Sequence, residues 1–191
     1  MTHLGTVRLE TERLILRRFA ASDVEDMFRN WTNDPEVTKF LTWQPHGDIS
    51  VTREFMKTRL EGYEKSDFYS WAMELKAGGQ VVGTIAAVSQ QEDIQSVTIG
   101  YCLGRAWWNQ GYMTEALRAV IGFFFEEVGM NRVESYHDPR NPGSGRVMQK
   151  AGMAFEGTLR QADMNNQGLC DEACYAILAG EYENRKGKPN A

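Results

Sequence analysis

Hydrophobic and polar residues follow two different rhythms along this chain. Glu12–Phe19 (ERLILRRF) is rich in Leu and Ile and reads as a first strand. Ser22-Asp-Val-Glu25 follows as a capping-box pattern that opens a helix, and Asp34-Pro35 ends it, because proline cannot continue the ladder. Asp48 or Ser50 caps a second helix that reaches about Tyr63, with Val51, Phe55 and Leu60 among its apolar positions. The period then changes to two. Trp71, Met73 and Leu75 alternate with smaller or polar residues, Gly78-Gly79 marks a hairpin turn, and Gln80–Val88 forms the return strand. Ser96–Leu103 is a further β-branched, apolar run, so these three segments predict an antiparallel meander.

The helical period returns after Gly111. Met113, Ala116, Leu117, Val120, Ile121, Phe124 and Val128 fall at i, i+3, i+4 spacing, the stripe of a helix lying on a sheet, and Gly129 stands where such a helix stops. Arg132–Pro139 is the next strand, and strand–helix–strand implies a parallel crossover. Asn141–Lys150 reads as a short helix stopped by Gly152. Two last strands, near Ala154–Ala162 and Cys170–Ala179, are joined by the turn Asn165–Gly168. The order β-α-α-β-β-β-α-β-α-β-β predicts an α+β fold with one mixed central sheet of about seven strands and about four helices. One domain spans 1–184, followed by a polar tail at 185–191.

Composition narrows the chemistry. The 191 residues are 42% hydrophobic and 25% charged, ordinary for a globular domain. With 26 acidic against 21 Lys and Arg residues the net charge is −5, which argues against general nucleic-acid binding, since that rests on basic neutralisation of phosphates. Three cysteines (Cys102, Cys170, Cys174) and three dispersed histidines (His3, His46, His137) do not form a metal-ligand pattern. No signal-peptide pattern opens the chain, and the longest apolar run, Ala119–Phe125, is far short of a membrane span. The expectation is a cytoplasmic protein with no metal, nucleic-acid or membrane partner.

One segment invites a ligand. Trp107–Glu115 (WWNQGYMTE) joins a strand to a helix N-terminus, where unpaired N–H groups and the positive dipole end suit a phosphate; Gly111 would allow close backbone approach. The same residues also read as a plain turn over core tryptophans. The P-loop and dinucleotide fingerprints are both missing.

TIGYCLGRAWWNQGYMTEAL, followed by RVESYHDPRNPGSGRVMQKAGM, resembles the GNAT acetyltransferase superfamily, in its branch of ribosomal-protein N-terminal acetyltransferases of RimJ/RimL type. The opening ETERLILRRF and the closing EGTLRQADMNNQGLCDEACYAIL fit the same branch, so the resemblance spans nearly the whole chain. It implies the GNAT fold and transfer of an acetyl group from acetyl-CoA to a primary amine in a ternary complex, most simply a protein N-terminal α-amine. Small amines, and a non-catalytic acyl-CoA-binding module, are the alternatives.

By this resemblance the pyrophosphate loop is Trp108-Asn109-Gln110-Gly111-Tyr112-Met113, continued by Thr114; only Gly111 keeps the general glycine pattern. The pantetheine would lie along Tyr101, Cys102 and Leu103, where that strand splays from the one ending near His137. The family's N-x-x-S element is Asn141-Pro142-Gly143-Ser144. Met148 stands where many members carry a tyrosine general acid. The branch's proposed acid is then Ser144, and its proposed base, a carboxylate after Q-A, falls on Asp163. Ser144 also reads as a cap or cofactor contact, and Asp163 as a solvated strand-end residue. Glu134 and His137 could relay a proton or be structural. Cys102 could carry an acetyl group but reads better as a small buried hydrophobe. Trp31, Trp43, Trp71 and Trp107 divide between core and acceptor pocket. Related enzymes suggest a homodimer as one option for assembly.

Overall fold

The computed structural model describes residues 1–186. Eight strands form one sheet: β1 (Leu9–Glu10), β2 (Leu14–Arg17), β3 (Ser70–Leu75), β4 (Val81–Gln91), β5 (Ser96–Leu103), β6 (Arg132–His137), β7 (Ala154–Asn165) and β8 (Gly168–Leu178). Their spatial order is β1-β2-β3-β4-β5-β6-β8-β7. Only β5 and β6 run parallel; every other neighbouring pair is antiparallel. The eighth strand, β1, lies just before the first predicted one, which begins at Glu12. A turn at Thr11–Arg13 joins it to β2, closed by the Thr11 N–H on the Leu14 carbonyl and the Leu14 N–H on the Thr11 hydroxyl, both at 3.0 Å.

The helices are α1 (Val24–Met27), α2 (Pro35–Thr38), α3 (Ile49–Gly62), α4 (Tyr112–Phe123), α5 (Pro142–Ala151) and α6 (Ala179–Lys186). The first differs from the capping-box reading. The Asp23 carboxylate accepts the Ala20 N–H at 2.8 Å and pairs with Arg17 at 2.7 Å. The segment then winds as a tight turn at Ala21–Asp23, one α turn, and a wide π turn over Phe28–Thr32. Asp34 ends this run and also starts α2, accepting the Glu36 N–H with Pro35 in the first helical position. Asp48 caps α3 as expected, with its side chain on the Ser50 N–H. The buried face of α3 is not the expected one, however: Val51 is exposed, while Thr52 and Met56 are buried. Thr52 is tolerated inside because its hydroxyl meets Thr32 Oγ1 at 3.1 Å and His46 Nδ1 at 2.7 Å.

All seven stripe positions of α4 are buried, with the last turn wound as a π turn closed by Gly129 at φ +80°. Side-chain alternation splits the interior in two. Trp71 and Ala72 are adjacent on β3, yet Trp71 joins the core under α4 and α5, whereas Ala72 joins Trp31, Met56 and Cys102 under α1–α3. The predicted tail also differs: α6 runs through Lys186 with Arg185 donating to the Gly152 carbonyl, and residues 187–191 lie outside the described residues.

The β7–β8 turn docks on the segment after α2. The Asn166 N–H donates to the Leu41 carbonyl, and its side-chain amide to the Thr38 and Trp43 carbonyls at 2.9 and 2.7 Å. Next to it, Asn165 donates to buried Asp138 at 2.9 Å, and Arg140 clamps the same carboxylate at 2.6 Å. The Arg140 hydrogen bonds, helped by Asn165, hold the Asp138 carboxyl down at about 2. An unfolded aspartate titrates near 4, so this stabilisation is complete above pH ~4 and is lost as pH falls toward ~2. D138N is expected to lower the unfolding free energy at pH 7 by about 2 kcal/mol and to flatten its decline between pH 4 and 2. Urea denaturation of both proteins at pH 7, 4 and 2.5 checks this.

Candidate functional site

β5 and β6 pair over three positions only, Ser96–Thr98 against Arg132–Glu134. Beyond them the strands part. Ser135 Oγ reaches across the start of the gap to the Ile99 carbonyl at 2.7 Å. Past that point lies a cleft of about 580 Å³. Tyr101 and Cys102 both line it. They are consecutive on one strand and point to opposite faces, so the cleft runs through the sheet. On one side stand the N-termini of α4 and α5; on the other stand Val37, Phe40 and Leu41, beneath the docked β7–β8 turn.

Gly111 precedes α4 at φ +84°, a conformation that glycine adopts without strain, and Asn109 also has positive φ. No side chain caps α4. Its first-turn N–H groups, on Tyr112, Met113 and Thr114, therefore face the cleft with the positive dipole end behind them. The loop is held from behind. Glu115 accepts from the Thr11 hydroxyl, from the Arg13 N–H at 2.8 Å and from the Arg13 guanidinium at 2.7 Å. Arg13 also donates to the Gln110 carbonyl at 2.9 Å and lies 4.2 Å from the Tyr112 ring centroid. Partial burial pushes the Glu115 carboxyl up, but these hydrogen bonds outweigh it and leave it below the ordinary value. Neither Arg13 nor Glu115 is assigned a role by sequence; their pairing spans 102 positions, and its only local trace is an acidic residue in the first turn of α4.

Of the residues expected around the ligand, Tyr101, Cys102, Leu103, Trp108, Asn109, Gly111, Tyr112, Met113, Thr114, Asn141 and Ser144 line the cleft. Gln110 does not: its side chain folds back onto the Ala106 carbonyl. Arg146 and Lys150, one turn apart on α5, line it too; sequence reasoning passes over them, although their i, i+4 spacing on a helix entering the site was visible. Asn141 caps α5 by accepting the Ser144 N–H at 3.4 Å. Tyr101 Oη lies 3.0 Å from both the carbonyl and the hydroxyl oxygen of Ser144.

The remaining candidates stand apart. Asp163 is exposed on β7, with its own carboxylate on the Met164 N–H, and does not line the cleft. The strand is irregular between Leu159 and Asp163, with Gln161 at φ +50°, and the carboxylate that the Q-A motif singles out stays outside the cleft. Glu134 is buried against Thr98 and Arg132. His137 packs against Gly145, with Nδ1 2.8 Å from the Asp138 carbonyl. Burial pushes the Cys102 thiol up to about 12, which removes it as a nucleophile near neutral pH. Met148, Trp31 and Trp71 are fully buried, while Trp107 and Trp108 border the cleft. Among the described residues there is no cluster able to hold a metal ion, and no helix long and apolar enough to cross a membrane.

Residues 13–154 match the family model described as an acetyltransferase (GNAT) domain. An uncharacterized N-acetyltransferase p20 from Bacillus licheniformis is 29% identical over 174 residues, covering 91% of this chain and 97% of its own. The ribosomal-protein-serine acetyltransferase of Escherichia coli is 27% identical over 99 residues, 52% of this chain and 55% of its own. The crystal structure of a GNAT-family acetyltransferase from Bacillus anthracis superposes with a TM-score of 0.81 at 27% identity, covering 92% of this chain and 100% of the other. The matched span holds the parted strands, the uncapped helix and the Asn141–Ser144 turn in one continuous segment, and the chain belongs to the GNAT acetyltransferase family.

Proposed function

We propose that this acyltransferase moves an acetyl group from acetyl-CoA to a protein or peptide N-terminal α-amine by direct transfer in a ternary complex. The observation that carries the reading is a cleft open through the sheet, with an uncapped helix N-terminus on one side and an apolar vestibule on the other. The N–H groups of Tyr112–Thr114 suit a pyrophosphate. Arg146 and Lys150 supply positive charge beside them for a polyanionic donor. The gap between β5 and β6 would take an extended pantetheine arm and bring its thioester toward Ser144, while Val37, Phe40 and Leu41 receive the acceptor. An amine acetyltransferase of this kind needs a neutral amine, and a donor to the leaving sulfur helps it. Ser144 is the hydroxyl placed for the second task.

The acceptor follows from proton arithmetic. Among the described residues no carboxylate or imidazole lines the cleft. An amine must then arrive neutral or lose its proton to water. An α-amine is about one-seventh neutral at pH 7, whereas a lysine side chain is neutral about once in 2,500. The N-terminal amine is favoured accordingly, and a relative's printed name, ribosomal-protein-serine acetyltransferase, agrees with that class.

Saturating acetyl-CoA, at about 100 times Kd, is expected to raise the melting temperature by roughly 5–10 °C, with NADH and ATP giving much less. No shift in a folded protein would overturn the reading. With peptide acceptors, CoA release should rise with pH up to about 8 as the α-amine deprotonates, and free lysine side chains should react far more slowly; the opposite preference would reassign the acceptor. S144A is expected to lower kcat about 10–100-fold with little change in KM for acetyl-CoA. E115Q, which weakens the brace behind the loop, should instead raise that KM several-fold while leaving kcat within about twofold.

A further inference from the structure

We infer that Tyr101 is a positioning residue for Ser144: its phenol holds the Ser144 hydroxyl so that the serine proton is directed at the leaving sulfur. The inference rests on the acetyltransferase reading and extends it to a strand residue 43 positions away.

The phenol has two oxygens within reach: it donates to the Ser144 carbonyl, and in its contact with Ser144 Oγ either hydroxyl can be the donor. Tyr101 Oη is 3.0 Å from the Ser144 carbonyl and 3.0 Å from Ser144 Oγ. A phenol has one hydrogen to donate. Ser144 is fixed from the other side as well, since its N–H is held by the Asn141 cap. Its backbone therefore sits between a helix cap and a strand side chain, with its hydroxyl against the Tyr101 phenol. When Tyr101 donates to Oγ, the serine hydrogen cannot point back at the phenol and turns to the cleft that both residues line. Burial pushes the Tyr101 phenol far above its ordinary range, so it keeps its proton throughout and acts as a donor rather than an acid.

The transfer balances with Tyr101 unchanged. The amine nitrogen bonds to the thioester carbonyl carbon, the C–S bond breaks, and its electron pair leaves on sulfur. Sulfur takes the Ser144 Oγ proton to form the thiol. The acylated nitrogen sheds one proton to water, and water returns one to Ser144. During the interval in which Oγ is short of a proton, the Tyr101 hydrogen bond stabilises the developing serine oxyanion, which is where such donors act most strongly.

Steady-state kinetics of wild type, Y101F, S144A and the double variant test this, with melting curves and acetyl-CoA affinity measured on each. Y101F is expected to lose about tenfold in kcat with KM for acetyl-CoA within about twofold, and the double variant should be no slower than S144A alone, because Tyr101 acts only through Ser144. Losses that multiply in the double variant, an undiminished kcat in Y101F, or a loss confined to KM would each overturn the inference. If Y101F does not fold, 3-fluorotyrosine placed at 101 keeps the shape and strengthens the donor. Its kcat should equal or exceed wild type, and a tenfold fall would overturn the inference. A wild-type protein that binds acetyl-CoA yet acetylates no amine would instead overturn the acetyltransfer reading itself, and this assignment with it.

Discussion

Everything functional in this molecule depends on the short parallel pairing of β5 with β6. Three residue pairs hold the two strands together and then stop. A sheet that opens at its centre exposes backbone donors and acceptors that must find partners elsewhere. The chain meets that demand locally. Ser135 Oγ donates to the Ile99 carbonyl and Trp108 Nε1 donates to the Leu103 carbonyl, both at 2.7 Å.

Two further features convert the opening into a site. The first is the brace of Thr11, Arg13 and Glu115, which ties the N-terminal strand turn to the loop before α4. Ordering that loop in advance lowers the conformational entropy lost when an anion binds. The second is the division of the interior into two cores on opposite faces of one sheet. Because each face is closed by its own helices, the gap can be reached from two separate sides of the sheet.

The legible parts of the sequence were those governed by local periodicity. The α4 stripe is buried at every position named, and the Gly78-Gly79 hairpin forms with both glycines at positive φ. The loop around Gly111 was legible because a strand–glycine–helix junction is a local pattern. What escaped depends on distant partners. Asp23, rather than the Ser22 and Glu25 of the expected capping box, makes the side-chain contacts at this turn, with Ala20 and Arg17. Thr52 displaces Val51 from the interior because two polar partners wait for it there. Asp163 was placed by the Q-A motif of the resemblance, and the strand that carries it is irregular between Leu159 and Asp163 and leaves it outside the cleft. The Tyr101–Ser144 contact joins a strand to a helix 43 residues on, and neither residue carries a sign of the other.

The docking of Asn166 has a consequence for how such an enzyme diversifies. Its N–H and side-chain amide grip the carbonyls of Leu41, Thr38 and Trp43, all of them main-chain groups. A latch made to backbone is indifferent to side-chain identity. Phe40 and Leu41, which line the cleft beneath it, contribute no side-chain atom to these hydrogen bonds. A substitution at Phe40 reshapes the wall of the cleft while leaving every hydrogen bond of the latch in place.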